Sequence, residues 1–148
     1  MAPVLVGVSL KAYFGRRAAR VWFAQVAEVL RGHGAVAGGA VEAVIIPTYL
    51  QIDDAAGAFA GTPARLGVQD VSAHEPGPFT GEVTAAEVAE SGVAYAEVGH
   101  AERRRLFGES DEVVAAKTAA ALRHGVTPVL CVGEDEQQDA ASAATATV

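Results

Sequence analysis

Apolar residues along this chain alternate between two patterns. Val4–Val8 is a short β-branched-rich run, and residues 17–31 (RAARVWFAQVAEVLR) follow with apolar positions at Val21, Trp22, Val26, Val29 and Leu30, the spacing of a helical stripe. Gly32 and Gly34, around His33, end that helix. Val41–Ile46 is the next buried run, stopped by Pro47, and Leu50–Ala60 predicts a short helix. Arg65–Val68 predicts a third strand and leads into the polar stretch QDVSAHEPGPFTGEV, with Pro76 and Pro78. Thr84 and Glu87 have capping-box spacing and open a helix to about Ser91. Ala94–Val98 predicts a fourth strand, and Ser110–His124 a helix closed by Gly125. Val126–Val132 predicts a fifth strand, with Pro128 near its start because proline lacks a ladder donor.

Strands separated by helices imply βαβ units and a parallel sheet, here in one domain of about five strands. Nearly all-apolar strands are expected when both faces are buried. Such a sheet is an open doubly wound sheet or part of a barrel, and in both the chemistry gathers where the strands end. The strand-end residues are therefore Ser9 and Lys11, Gln69 and Asp70, Gly99 and His100, and Gly133 and Glu134. Residues 135–148, ending in small residues, read as the start of another helix or as a disordered tail. No internal repeat or interdomain linker is evident.

Composition narrows the chemistry. The 148 residues are 51% hydrophobic, enough for one sizeable core. A net charge of −7 repels polyanions and argues against nucleic acid, while leaving room for a small phosphorylated metabolite at one well-placed lysine. The single Cys131 fits a reducing compartment, and the N-terminal apolar run lacks a basic flank and is too short to span a bilayer. The expectation is a soluble cytoplasmic protein without a membrane partner. No GxGxxG follows the first strand, no P-loop occurs, and no CxxC, HxH or HExxH spacing points to a metal.

His100 precedes three arginines, so its plain reading is a surface histidine beside a solvated charge run; its place at a strand end favours function. Arg103–Arg105 read as partners of acids such as Glu109 or Asp111. Cys131 reads as a small buried residue, His33, His74 and His124 as solvated loop or helix-end residues, and Trp22 as core.

The stretch AYAEVGHAERRRLFGESDEVVAAKTAAALRHGVTPVLCVGE, residues 94–134, carries GHxERR, FGE and CVGE blocks in sequence. It resembles the triosephosphate isomerase family, as do GVQDVSAHEPGPFTGEVTAAEV and the GVSLK of the first strand, so the resemblance spans essentially the whole chain. It implies a (β/α)8 barrel, here a partial barrel of about five parallel strands, without metal or cofactor. It implies an isomerase acting on a small phosphorylated sugar, interconverting dihydroxyacetone phosphate and glyceraldehyde 3-phosphate through an enediol. By the same resemblance His100 is the catalytic electrophile, and the helix N-terminus after it keeps it neutral. Lys11 is the catalytic and substrate-binding lysine, Glu102 is a third catalytic residue that lies near that lysine and fixes its position, and Ser9 is substrate-binding. Phe79 and Thr80 stand at the tip of a dimer-interface loop, implying a homodimer or a complementary fragment.

The chain also departs from the family pattern. Ser9 replaces asparagine and Ala101 replaces serine, two changes that leave room for a paralogue acting on another ketose phosphate, such as a tetrulose phosphate. The family's catalytic-glutamate stretch, of YEPVWAIGTG type, and its two glycine-rich phosphate loops have no counterpart among these 148 residues. The alternative expectation is a catalytically inactive half-barrel acting as an interaction or assembly module, with open strand edges for a partner to cover. A doubly wound nucleotide-binding domain lacks its phosphate fingerprint.

Overall fold

Five parallel strands in the order β1-β2-β3-β4-β5 form a single curved succession in which each strand pairs with the next in sequence. The computed structural model describes residues 4–133 and 137–147, so Glu134 lies outside the described residues. The strands are β1 Val4–Ser9, β2 Val41–Ile46, β3 Arg65–Val68, β4 Tyr95–Val98 and β5 Thr127–Leu130. Between them run α1 Arg16–Gly32, α2 Gly34–Ala37, α3 Ile52–Phe59, α4 Ala85–Glu90, α5 Ala101–Phe107 and α6 Asp111–Arg123, and α7 Ala140–Thr147 follows. Sequential parallel neighbours with helices between them make a half-barrel, not a doubly wound sheet, whose strand order would reverse partway.

Strand alternation divides the side chains between two faces. Ile45, Leu66, Val68, Ala96 and Val98 point outward into one core with Ala19, Phe23 and Ala27 of α1, Ala55 and Phe59 of α3, and Val114 and Ala121 of α6. Phe23 and Phe59 meet edge to face, with ring centroids 5.8 Å apart. The opposite set, which includes Gly67 and Glu97, faces the concave side. The expected Thr84 cap is present, with the Glu87 N–H donating to Thr84 Oγ1 at 3.3 Å. Gly34, expected only to end the long helix, opens the extra short helix α2.

One expectation fails. The strands are not all buried on both faces: Val4 is 64% exposed and Leu5, Val6 and Val8 are exposed with it, while β5 leaves Leu130 exposed. β1 and β5 are the edges of the described sheet, and each has a neighbour on one side alone, so apolar residues suited to an enclosed strand remain uncovered.

Candidate active site

The ends of β1 and β4 carry the polar side chains of the concave face. Lys11, two residues beyond β1, has φ +49°, the one positive value at a non-glycine among the described residues. A left-handed lysine is strained by about 1–3 kcal/mol and persists when its surroundings hold it. Its carbonyl accepts from Gln69 Nε2 at 2.9 Å, and Leu10 beside it is buried and donates its N–H to the Ile46 carbonyl at 3.0 Å. The turn thereby sends the Lys11 side chain across to β4. Its Nζ lies 3.1 Å from Glu97 Oε1 and 2.8 Å from His100 Nε2. Ser9 Oγ donates to the other oxygen, Glu97 Oε2, at 2.8 Å.

His100 is presented by a sharp strand-to-helix turn. Gly99 has φ +73°, and a Cβ there would lie 2.8 Å from Val114 Cγ1, so glycine satisfies both the backbone and the packing. His100 then caps α5, its Nδ1 accepting the Glu102 N–H at 3.1 Å. With Nδ1 accepting, the hydrogen-bond network puts the ring proton on Nε2, the atom aimed at Lys11. Two donors thus converge within 2.8 Å, a poor pair for each other and a good pair for an oxygen that gains negative charge.

Glu102 does not take its expected place. Its side chain is 51% exposed and its Oε2 lies 3.7 Å from His100 Nδ1; among the described residues the carboxylate paired with Lys11 is that of Glu97. Position explains this, because Glu102 sits in the first turn of α5 facing solvent, whereas Glu97 projects from β4 onto the concave face. Glu97 was absent from the sequence-derived set. The signal was available: a lone carboxylate in an otherwise apolar strand, AYAEV, is costly to bury unless it is paired.

A second charged cluster lies behind the first. Lys117 Nζ contacts Asp70 Oδ2 at 2.6 Å and Glu109 Oε1 at 2.5 Å, and Arg103 Nε reaches the same two oxygens at 2.9 and 2.6 Å. Burial pushes the Asp70 carboxyl up against the pull of Lys117. At Glu109 burial also pushes upward, but Lys117 and Arg103 together outweigh it and the net shift is down. Arg104 bonds the Gly99 carbonyl at 2.9 Å and Asp111 at 2.6 Å. Arg103 and Arg104 are therefore structural partners of acids.

The long loop after β3 is exposed from His74 to Thr80, with the His74 and Phe79 rings stacked 4.0 Å apart and Glu75 paired to Arg123 and His124. His74 and His124 are therefore less simply solvated than expected. Cys131 is half-buried, and burial raises its thiol, with a further push from Glu97. Trp22 packs against the core as expected. Among the described residues no helix is long and apolar enough to cross a membrane.

Comparison with known proteins shows the family and the fold. The family model described as triosephosphate isomerase matches residues 4–148. L-erythrulose-1-phosphate isomerase of Pectobacterium atrosepticum is 42% identical over 132 residues, 89% of this chain and 51% of that protein. Triosephosphate isomerase of Thermus thermophilus is 42% identical over 134 residues, 90% of this chain and 51% of that one. The crystal structure of triosephosphate isomerase from Bartonella henselae superposes with a TM-score of 0.76 at 27% identity, over 90% of this chain and 53% of the other. The chain spans about half the length of these relatives.

Proposed function

The chain belongs to the triosephosphate isomerase family, and from that premise we propose that its strand ends form the electrophilic half of an aldose–ketose phosphate isomerase site. The carrying observation is the 2.8 Å convergence of Lys11 Nζ and His100 Nε2. In this reading a carbonyl oxygen of the sugar phosphate takes both N–H bonds, and the ammonium also attracts the phosphate. A base removes a proton from the neighbouring carbon, the electron pair moves onto the oxygen, and the two donors stabilise the enediolate that forms. A proton then passes from the neighbouring hydroxyl to the former carbonyl oxygen, and return of the abstracted proton to the former carbonyl carbon, as the deprotonated oxygen becomes the new carbonyl, completes the isomerisation. The base and the phosphate loops are not among these 148 residues, so the chain alone holds the stabilising groups and not the proton-abstracting one.

Two candidate substrates follow. Dihydroxyacetone phosphate is favoured by the triosephosphate isomerase relatives, and a tetrulose phosphate by the Pectobacterium relative together with Ser9 and Ala101. Both are tested by assaying the native gene's product for interconversion of each ketose with its aldose; turnover of neither rejects the isomerase role. The 148-residue chain by itself is expected to run several orders of magnitude slower, since general-base and oxyanion assistance each contribute roughly 10²–10⁴-fold.

A second reading is favoured by the uncovered edges. Exposed Val4, Leu5, Val6 and Val8 on β1 and Leu130 on β5 suit an assembly module that docks a complementary fragment, with the Phe79–Thr80 loop as the contact of a homodimer. Light scattering of the purified chain tests the assembly reading, a strict monomer at high concentration counting against it.

A further inference from the structure

We propose that Glu97 is a positioning residue of this site, and that Ser9 serves the site through Glu97 rather than by touching substrate. The role gains its meaning from the isomerase reading above, but the arrangement itself is open to test without turnover.

Glu97 is 8% exposed, and a buried carboxylate is tolerated when its charge and lone pairs are matched. Both of its oxygens are matched from the end of β1 and the turn after it: Oε2 takes the Ser9 hydroxyl and Oε1 the Lys11 ammonium. These contacts join residues 86 and 88 positions apart, so nothing local in the sequence creates them. The consequence falls on Lys11 and His100. An ammonium set 2.8 Å from an Nε2 that carries its own proton is repelled by it, and the contact needs a compensating anion. Glu97 supplies that anion from the concave face. Gln69 holds the backbone of the same lysine, so Lys11 is fixed at its carbonyl and at its ammonium by different strands. Cys131, whose thiol is raised by burial and then by Glu97, senses the same negative charge.

Ser9 fits this role better than direct recognition. Its hydroxyl hydrogen is given to Glu97, which fixes the carboxylate's rotation so that Oε1 faces Lys11. Asparagine, expected there from the family pattern, would present an amide in place of the hydroxyl.

The test is nuclear magnetic resonance on the ¹⁵N-labelled 148-residue chain, reading the exchange of the Lys11 ammonium protons with water and the tautomer pattern of the His100 ring. The parent chain is expected to show a slowly exchanging Lys11 ammonium and an Nε2-protonated His100. Glu97→Gln should speed that exchange about tenfold or more and alter the His100 ring shifts, as loss of a charge-assisted hydrogen bond requires. Ser9→Ala should move the same two signals less, and the double variant no further than Glu97→Gln alone. A Glu97→Gln chain that is merely less stable, with both signals unmoved, overturns the proposal; so do additive effects of the two substitutions. If Glu97→Gln does not fold, Ser9→Ala decides, because unmoved Lys11 and His100 signals in that variant refute the pairing. Absence of isomerase turnover in the native product would reject the functional reading while leaving these signals as expected.

Discussion

The Ser9–Lys11–Glu97–His100 group and the Asp70–Arg103–Glu109–Lys117 group both draw residues from the C-terminal ends of the parallel strands, yet their donors and acceptors are balanced differently. In the second group two carboxylates face two cations, and of the four carboxylate oxygens only Glu109 Oε2 lacks a partner. Its hydrogen-bonding capacity is almost wholly used within the protein, and Lys117 and both acids are buried. In the first group one carboxylate takes an ammonium and a hydroxyl, and the imidazole N–H contacts the ammonium rather than the carboxylate, so donors exceed acceptors. A closed network locks α5 and α6 to β3; in the proposed function the open one keeps spare donors for a ligand. Charged residues at strand ends thus take opposite roles according to whether their partners exhaust them.

Breaking the closed cluster should have the largest effect. Lys117→Met leaves Asp70 and Glu109 buried with Arg103 as their cation, and a loss of about 3–5 kcal/mol is expected from urea denaturation. Unchanged stability would erase the distinction between the groups. His100→Gln should do the reverse, shifting stability by less than about 1 kcal/mol. In a catalytically complete enzyme containing this half, the same change should lower kcat by about 10²–10³-fold, which steady-state assay would reveal.

Gly99→Ala tests the joint between the groups. Its backbone is left-handed and its new Cβ would collide with Val114, so a loss of about 1–3 kcal/mol is expected in thermal or urea unfolding. The smallest effect concerns the loop after β3. His124 and Arg123 hold the exposed Glu75 carboxyl below its ordinary value. The native state therefore releases that proton more readily than the unfolded chain. Its contribution to stability is full above the ordinary carboxyl value and disappears as pH falls through the lowered one. Glu75→Gln should flatten that part of the stability–pH curve, and an unchanged slope would show that the loop is anchored by packing alone.

The order of elements was largely legible from residue patterns. Helical spacing from Val21 to Leu30 placed α1, although the helix buries Ala19, Phe23 and Ala27 and leaves Val21 and Val29 exposed; Thr84 and Glu87 placed the start of α4, and Pro47 placed the end of β2. The choice between a barrel part and a doubly wound sheet was not legible from periodicity, because both arise from the same βα alternation. At the site, Lys11 and His100 stood out as strand-end residues, whereas Glu97 was hidden inside an apolar strand and Glu102 attracted attention through its nearness in sequence. Sequence adjacency misled there because α5 turns Glu102 toward solvent, while the pleat turns Glu97 toward β1.

What the sequence by itself determined is the set of locally coded features: helices from 3.6-residue apolar spacing, strands from β-branched runs, and element ends from Pro47, Gly125 and the Thr84 cap. Local energies act over a few residues and can be read without knowing the fold. Only the tertiary structure decided that Ser9 and Lys11 meet Glu97 and His100, nearly ninety residues away, and that β1 and β5 are left as edges. Those outcomes depend on strand order and on which face each side chain takes, properties set by the packing of the whole sheet and coded in no single stretch of the chain.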